Sequence, residues 1–223
     1  MNPYSWGGWP PATMHFCEEL TRGPLVQPCD AISSAAFVVV GLFLFRIVRE
    51  KSVFLLFPVS AVLLGITSFL FHASWTFFFQ VFDVSSMFML SCLLLSFNAW
   101  RLELLTERQL PFAYVALLAA SIASMVTLKG RSGETLFAVE ITVFLLSEAV
   151  LAKRRPATRY KFFLRAFATF FAAVAIWVLD VKEILCDPKN HFLQGHAVWH
   201  VLNAVCLYFL YRFYRQFGRA DLI

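Results

Sequence analysis

Three histidines and one aspartate interrupt apolar stretches of this 223-residue chain. His196 and His200 stand four residues apart, so they would share one face of a helix. His72 ends an earlier apolar stretch, and Asp83 follows it by eleven residues. Three imidazoles around one ion, with a fourth position open to water, are typical of a catalytic zinc site. A carboxylate beside such a site can orient a ligand or act as a general base.

Ser68 adds a hydroxyl to this set, because it stands one helical turn before His72 in the segment SFLFH. The serine, the aspartate and the three histidines together are the sharpest chemical signal in the chain. The spacing of His196 and His200 alone is also compatible with a hydrogen-bonded pair between helices, a proton relay or a haem site. Spacing by itself therefore does not name the reaction.

The composition indicates that a bilayer surrounds these residues. Hydrophobic residues make up 60% of the chain and aromatic residues 17%, whereas charged residues make up only 15%. A soluble domain of this length could not bury so much apolar surface. Within lipid every backbone polar group must be satisfied internally, which helices achieve and open sheets do not. We therefore expect an all-α integral membrane protein.

Seven apolar stretches approach the ~20 residues that a helix needs to span a bilayer. The sequence thus predicts a seven-helix bundle over residues 31–215. An interfacial segment rich in Pro, Gly and Trp would precede it at residues 1–30, which lack the basic start and apolar run of a signal peptide. A short tail would follow at residues 216–223. The predicted spans are approximately Ala31–Val48, Ser52–Phe71, Trp75–Asn98, Leu110–Leu128, Leu136–Ala152, Phe162–Leu185 and Gly195–Phe213.

Lysine and arginine predict the orientation of these spans, since cytoplasmic loops carry an excess of both. Loops on the side of the C-terminus hold thirteen of these residues, and those on the side of the N-terminus hold five. We therefore expect the C-terminus in the cytoplasm and the N-terminus outside. The same bias accounts for the net charge of +5 without any nucleic-acid partner. In this orientation the histidines and Asp83 all fall in the outer half of the bilayer.

Other acidic residues within the predicted spans have structural interpretations. Glu148 could pair with the basic loop after the fifth span, and Asp180 could pair with Lys182 or Lys189. Glu140 has no partner that the sequence suggests.

Longer segments of the chain carry a family resemblance. The chain resembles the alkaline ceramidase family, within the wider seven-helix hydrolase superfamily that includes the adiponectin and progestin receptors. It looks most similar to the bacterial members, for which the location would be the inner membrane. The matching segments are FCEEL at Phe16–Leu20, QPCDAISSAAF at Gln27–Phe37, GITSFLFHASWTFFFQVFD at Gly65–Asp83, WVLD at Trp177–Asp180 and LQGHAVWHVL at Leu193–Leu202.

The resemblance implies a zinc ion held by His72, His196 and His200, with Asp83 and Ser68 beside it as catalytic residues. It implies a hydrolase that cleaves the amide bond of ceramide, or of a ceramide-like N-acyl lipid, to a fatty acid and a sphingoid base or amine. The partner would be a membrane lipid, and no nucleic acid is expected. Neither the acyl chain, the head group nor the oligomeric state follows from the sequence.

Eukaryotic members of the family also carry a calcium site near the N-terminus, built from acidic and amide side chains. Glu18 matches one of its positions. His15, Leu20 and Gln27 stand where the family would place Asp, Asn and Glu. Calcium requires several oxygen ligands, so we do not expect calcium regulation here.

Three cysteines, Cys17, Cys29 and Cys186, map to the predicted outer side, where disulfides are permitted. The family resemblance implies a bridge between Cys17 and Cys186. A pairing of Cys29 with Cys186, or three buried thiols, are the alternatives.

Two other functions remain open at this point. One is a receptor-like protein with the same zinc site and little turnover, for which larger soluble domains or long signalling termini would be expected. The other is a proton or ion transporter that uses histidine and carboxylate relays. A retinal protein would require a lysine within the last span, and none occurs between Gly195 and Phe213.

Overall fold

The computed structural model describes residues 6–48, 53–128 and 133–217. Within these ranges the chain is helical and has no β-strand, apart from an isolated bridge between Pro11 and Thr76. The predicted all-α fold is thus confirmed. The helices are α1 (Pro28–Ser33), α2 (Ala35–Ile47), α3 (Leu56–Ser74), α4 (Phe77–Arg101), α5 (Leu110–Thr127), α6 (Gly133–Arg154), α7 (Lys161–Val181) and α8 (Gly195–Tyr214).

Six helical stretches in the described ranges are long and apolar enough to cross a membrane. The first combines α1 and α2, and α3 to α7 supply the others. Helix α8 has 20 residues but is not one of these six, because His196, His200, Asn203 and Arg212 interrupt its apolar residues. The chain is therefore an integral membrane protein by helix length and composition, and the seventh span stays a prediction.

Helix α7 ends four residues before the predicted end of the sixth span at Leu185. Glu183 has a left-handed backbone with φ of 53°, and the N–H of Ile184 donates to the carbonyl of Leu179. This hydrogen bond closes the helix in the manner of a Schellman cap. The early stop leaves Asp180 in the last turn of α7.

The chain divides into two compact units, Met1–Asp83 with Arg159–Ile223 and, separately, Val84–Thr158. In the first unit α7 packs along α8, α2 packs along α3, and α1 contacts both α3 and α8. Gly65 permits the close approach of α2 and α3, because an added Cβ would lie 2.6 Å from Cγ2 of Val38. The end of α3 and the start of α8 therefore both lie against the short helix α1.

A two-residue turn at Trp75 and Thr76 connects α3 to α4. Trp75 has a φ of 52°, which is uncommon for a bulky residue. Its ring packs in a buried cluster with Phe16, Val26 and Phe71, and its carbonyl accepts the N–H of Ala12 at 3.2 Å. The N-terminal segment therefore stabilises the turn that separates His72 from Asp83.

The second unit contains most of α4 together with α5 and α6. Its buried carboxylates have polar partners: Glu140 accepts hydrogen bonds from Ser91 and, at 2.6 Å, from Ser121. Glu148 forms a buried ion pair with Arg101, a partner that the sequence did not suggest. Pairing of this kind offsets the large cost of placing a charge in an apolar interior.

Candidate metal centre

Three buried histidines meet in the first unit. His72 lies in the last turn of α3, and His196 and His200 lie in the first two turns of α8. Their ring centroids are 4.5 to 5.1 Å apart, and one nitrogen from each ring lies within 4.8 Å of the other two. Among the described residues this is the one group of three or more His, Cys, Asp or Glu side chains arranged to share an ion. The predicted histidine set is therefore assembled.

Two ring nitrogens of this cluster have no hydrogen-bond partner although they are buried: Nε2 of His72 and Nδ1 of His196. An unsatisfied buried polar atom costs about 1–3 kcal/mol, so such atoms in a native protein indicate a missing partner. Imidazole nitrogens are common ligands of transition metals. The cluster could hold a metal ion that supplies the missing partner to both rings.

Neighbouring side chains fix the orientation of two of these rings. Nδ1 of His72 lies 2.9 Å from Oε1 of Gln27. Nδ1 of His200 lies 2.8 Å from Oγ of Ser33, whose own hydrogen is directed at the carbonyl of Asp30 at 2.9 Å. An amide oxygen only accepts, so Nδ1 of His72 carries the proton. With the Ser33 hydrogen directed at Asp30, the Ser33 oxygen accepts the proton of Nδ1 of His200 in the same tautomer. This tautomer leaves Nε2 of His72 and of His200 with a lone pair for an ion.

Ser68 and Asp83 lie beside the same cluster. Oγ of Ser68 is buried, 3.3 Å from Nε2 of His200, and accepts a hydrogen bond from Ser34 at 3.0 Å. The hydroxyl of Ser68 also pairs with the carboxylate of Asp83. Ser68 thus contacts both the ring of His200 and the carboxylate of Asp83, and through it all five residues that the sequence singled out are connected.

An aromatic side chain covers part of the cluster. The ring of Phe16 stacks on that of His196 with centroids 3.8 Å apart, and it lies 5.4 Å from the ring of His72. Phe16 is 2% exposed. The packing therefore restricts both ring rotation and the access of water from this side.

Asp180 fills a different role from the one its sequence suggested. The predicted pairing with Lys182 or Lys189 is wrong. Its Oδ1 accepts the backbone N–H of His196 at 3.1 Å, and its Oδ2 accepts that of Cys17 at 3.2 Å. The carboxylate joins α7, α8 and the N-terminal segment.

Cys17 and Cys186 form a disulfide in the structure, across 169 residues of sequence. Cys29, Cys92 and Cys206 are free and buried. The bridge ties the segment that carries Phe16 to the loop between α7 and α8.

Glu18, the residue that matches the family's calcium position, is occupied by other partners. Its two carboxylate oxygens accept the N–H groups of Cys29 and Asp30 at 2.9 and 3.0 Å, at the start of α1. Nδ1 of His191 lies 2.9 Å from Oε1 of the same carboxylate. Gln27 contacts His72, as described above. Glu18 therefore acts as a helix cap for α1, and calcium binding stays a matter of prediction.

The sequence did not indicate Gln27, Ser33, Ser34 or Phe16 as site residues. Each contacts a partner remote in sequence: Ser33 and His200 are 167 residues apart, and Phe16 and His196 are farther apart still. The first three lie within or at the end of a short helix that has no metal-ligand spacing of its own. They belong to the segment QPCDAISSAAF, and Gln27 also stands at one of the family's calcium positions, but neither observation indicated a contact with the histidines.

Comparisons with known proteins give a family for this site. A comparison with curated proteins finds no match. The family model described as Ceramidase matches residues 9–220, a range that contains the three histidines, Ser68, Asp83 and both bridged cysteines. Because the match extends over nearly the whole sequence, the chain belongs to the Ceramidase family.

Proposed function

We propose that the chain is a zinc-dependent intramembrane hydrolase that cleaves the amide bond of ceramide or of a ceramide-like N-acyl lipid. The products would be a fatty acid and a sphingoid base or amine. One observation carries the proposal: a buried cluster of three histidines with a hydroxyl and a carboxylate at its side, in a member of the Ceramidase family.

The donor set favours zinc over other metals. Three neutral imidazoles and no thiolate or ligating carboxylate match the protein ligands of catalytic zinc sites that leave one position open. The hard cations magnesium and calcium require oxygen ligands, which this cluster does not offer. When bound, zinc would polarise the substrate carbonyl and lower the pKa of water towards ~7.

Asp83 is suited to move protons during the reaction. Its carboxylate pairs with Ser68, whose hydroxyl oxygen lies 3.3 Å from Nε2 of His200. It would accept a proton from the attacking water and donate it to the amide nitrogen as the carbon–nitrogen bond breaks. General acid–base catalysis of this kind contributes about 10²–10⁴-fold to rate.

Ser68 is suited to stabilise the developing oxyanion. Because it accepts a hydrogen bond from Ser34, its own hydrogen is available to Asp83 or to a substrate oxygen. A single oxyanion donor is typically worth about 10²–10³ in kcat. The stacked ring of Phe16 would keep bulk water away and strengthen these interactions.

The proposal includes seven spans with the N-terminus outside and the site in the outer half of the bilayer. The distribution of Lys and Arg supports this orientation, with thirteen on one side and five on the other. Large apolar residues exposed along the helices, among them Leu146, Leu164 and Phe112, suit contact with lipid tails. A lipid substrate would then reach the site from the membrane.

Mass spectrometry of lipids tests this function. Purified protein is incubated with a panel of N-acyl lipids that includes ceramides, in detergent or in vesicles, with a chelator and with zinc added back. We expect fatty acid and amine to be released in equal amounts, to stop with the chelator and to resume with zinc. The exposed His15→Ala variant is the matched control and should keep full activity. No release from any lipid by the zinc-loaded protein would contradict the proposal.

A further inference from the structure

The carboxylate of Asp180 contacts the start of the helix that carries two of the three histidines. Its Oδ1 lies 3.1 Å from the backbone N of His196, and it also interacts with the N–H of Gly195. Asp180 is 1% exposed, so these contacts are shielded from solvent. The backbone of one candidate ligand is therefore held directly by a side chain of α7.

Helix α8 needs this contact because its own sequence supplies no cap. The first N–H groups of any helix have no acceptor within the helix. Gln194 occupies the N-cap position, but its side chain makes no capping bond. Its amide nitrogen donates instead to the carbonyls of Asp187 and Asn190, at 2.9 and 2.6 Å. The cap of α8 is thus provided by Asp180, fourteen residues before the N-cap position.

Gly195 makes room for the carboxylate. A Cβ at this position would lie 2.9 Å from both Cβ and Oδ1 of Asp180, closer than real contacts allow. The backbone of Gly195 is ordinary helix, so alanine would be tolerated there apart from this collision. The requirement for glycine is therefore set by Asp180 and not by the backbone conformation.

The second carboxylate oxygen of Asp180 also helps to position the ring of His196, through the N-terminal segment. Oδ2 accepts the N–H of Cys17 at 3.2 Å, and the preceding residue, Phe16, stacks on the His196 ring at 3.8 Å. One carboxylate thereby fixes His196 at its backbone and, through the N-terminal segment, at its imidazole. The positive end of the α8 dipole in turn stabilises the charge of the carboxylate.

We infer that Asp180 is a positioning residue of the histidine site, and that Gly195 is its required neighbour. Asp180 touches neither the cluster's ring nitrogens nor, in the proposed function on which this inference rests, the reacting atoms. It sets the position of α8 and hence the distance of His196 and His200 from His72. Asp180 is the last residue of the segment WVLD, which matched the family without an evident role, and the inference gives that segment the role of positioning α8.

Zinc affinity measured by chelator competition tests this inference independently of turnover. Asp180→Ala and Gly195→Ala should each raise the zinc Kd about 10–100-fold, the usual effect of losing a group that orients a ligand. Asp180→Asn should lie between wild type and Asp180→Ala, because the amide oxygen can still accept one N–H. Loading with cobalt should give a visible absorption spectrum that is altered in Asp180→Ala and Gly195→Ala.

The double variant Asp180→Ala/Gly195→Ala separates the inferred mechanism from general destabilisation. Alanine at position 180 removes the Cγ and Oδ1 atoms that the added Cβ would meet and keeps only the Cβ at 2.9 Å, so the loss of zinc affinity in the double variant should be smaller than the sum of the two single losses. Ser121→Ala, which loses a buried hydrogen bond in the second unit, is the control and should keep wild-type zinc affinity and cobalt spectrum.

Three results would overturn the inference: wild-type zinc affinity in Asp180→Ala, wild-type affinity in Gly195→Ala, or a full additional loss in the double variant. If Asp180→Ala does not fold, Asp180→Asn and Gly195→Ala decide the question on their own. Zinc binding by wild type together with unchanged variants would leave the proposed function intact. A wild-type protein that binds no zinc would contradict both the inference about Asp180 and the proposed function.

Discussion

Nδ1 of His72 donates a hydrogen bond to the side-chain oxygen of Gln27 over 2.9 Å. The amide group of Gln27 is itself oriented, because its nitrogen donates to the carbonyl of Glu18 at 3.3 Å. The contact fixes the tautomer of His72 and directs its unpartnered Nε2 into the cluster. Metal-bound histidines almost always have such a partner on the other ring nitrogen.

Replacing Gln27 with leucine should therefore weaken zinc binding while leaving the three ligands present. Loss of the hydrogen bond would free the His72 ring to rotate and to change tautomer, and we expect a zinc Kd about 10–100-fold higher. Chelator competition measures the change. The surface variant Gln109→Leu is the matched control. An unchanged Kd in Gln27→Leu would show that ring packing alone orients His72.

The histidines themselves give a stronger prediction. His196→Ala and His200→Ala should each lose the bound zinc and all hydrolysis, because two nitrogen ligands rarely retain a catalytic zinc. Elemental analysis of protein purified after metal-replete expression measures the zinc content. Wild type and His15→Ala should hold about one zinc per chain. A wild-type content far below one would refute the assignment of the cluster as a zinc site.

Asp83→Asn should keep zinc and lose most turnover. The amide is close in size to the carboxylate but cannot accept a proton from water, so kcat should fall about 10²–10⁴-fold. Steady-state kinetics with the best substrate of the lipid panel would be combined with zinc analysis of the same preparation. Turnover at the wild-type rate would mean that another group serves as the base.

Ser68→Ala should also keep zinc, with a fall of about 10²–10³-fold in kcat if the hydroxyl stabilises the oxyanion. Ser34→Ala is an informative companion, since Ser34 donates to Ser68 without a direct place among the reacting groups. We expect Ser34→Ala to have the smaller effect of the two. Equal losses in both variants would indicate that the pair acts through the packing of α1 against α3.

Local patterns in the sequence predicted the parts of the site that lie on one helix. His196 and His200 share a face because of their spacing, and Ser68 and His72 do so for the same reason. What local spacing could not predict was the identity of the groups that hold the rings, because Gln27 and Ser33 reach them across 45 and 167 residues.

The interpretation of Asp180 failed for a related reason. Because Asp180 is two residues from Lys182, the sequence suggested an ion pair between them. In the structure Asp180 instead accepts the backbone N–H of His196, in a helix that starts fifteen residues later. A cap that comes from another helix is hard to predict from the sequence of the capped helix. In α8 the only signs of it are that Gln194 makes no capping hydrogen bond and that position 195 is a glycine. Glu148 and its partner Arg101 illustrate the same limit in the second unit.

The disulfide between Cys17 and Cys186 closes a loop of 169 residues and holds the N-terminal segment against the loop that precedes α8. Two further contacts run between the same segments: the N–H of Glu19 donates to the carbonyl of Pro188 at 2.9 Å, and Glu18 pairs with His191. The bridge thus reinforces the segment that places Phe16 over His196.

Cys17→Ser/Cys186→Ser should consequently unfold at a lower temperature than wild type and bind zinc less tightly. Loop-closure entropy gives about 5 kcal/mol for a loop of this length. That figure is an upper bound, because helices in a membrane are already constrained when the protein unfolds. Thermal unfolding in detergent measures the stability, and Cys206→Ser, which removes a free buried thiol of α8, is the control. Peptide mapping without reductant should recover Cys17 linked to Cys186. Recovery of both thiols free to alkylation, or of a peptide linking Cys29 to Cys186, would refute this pairing.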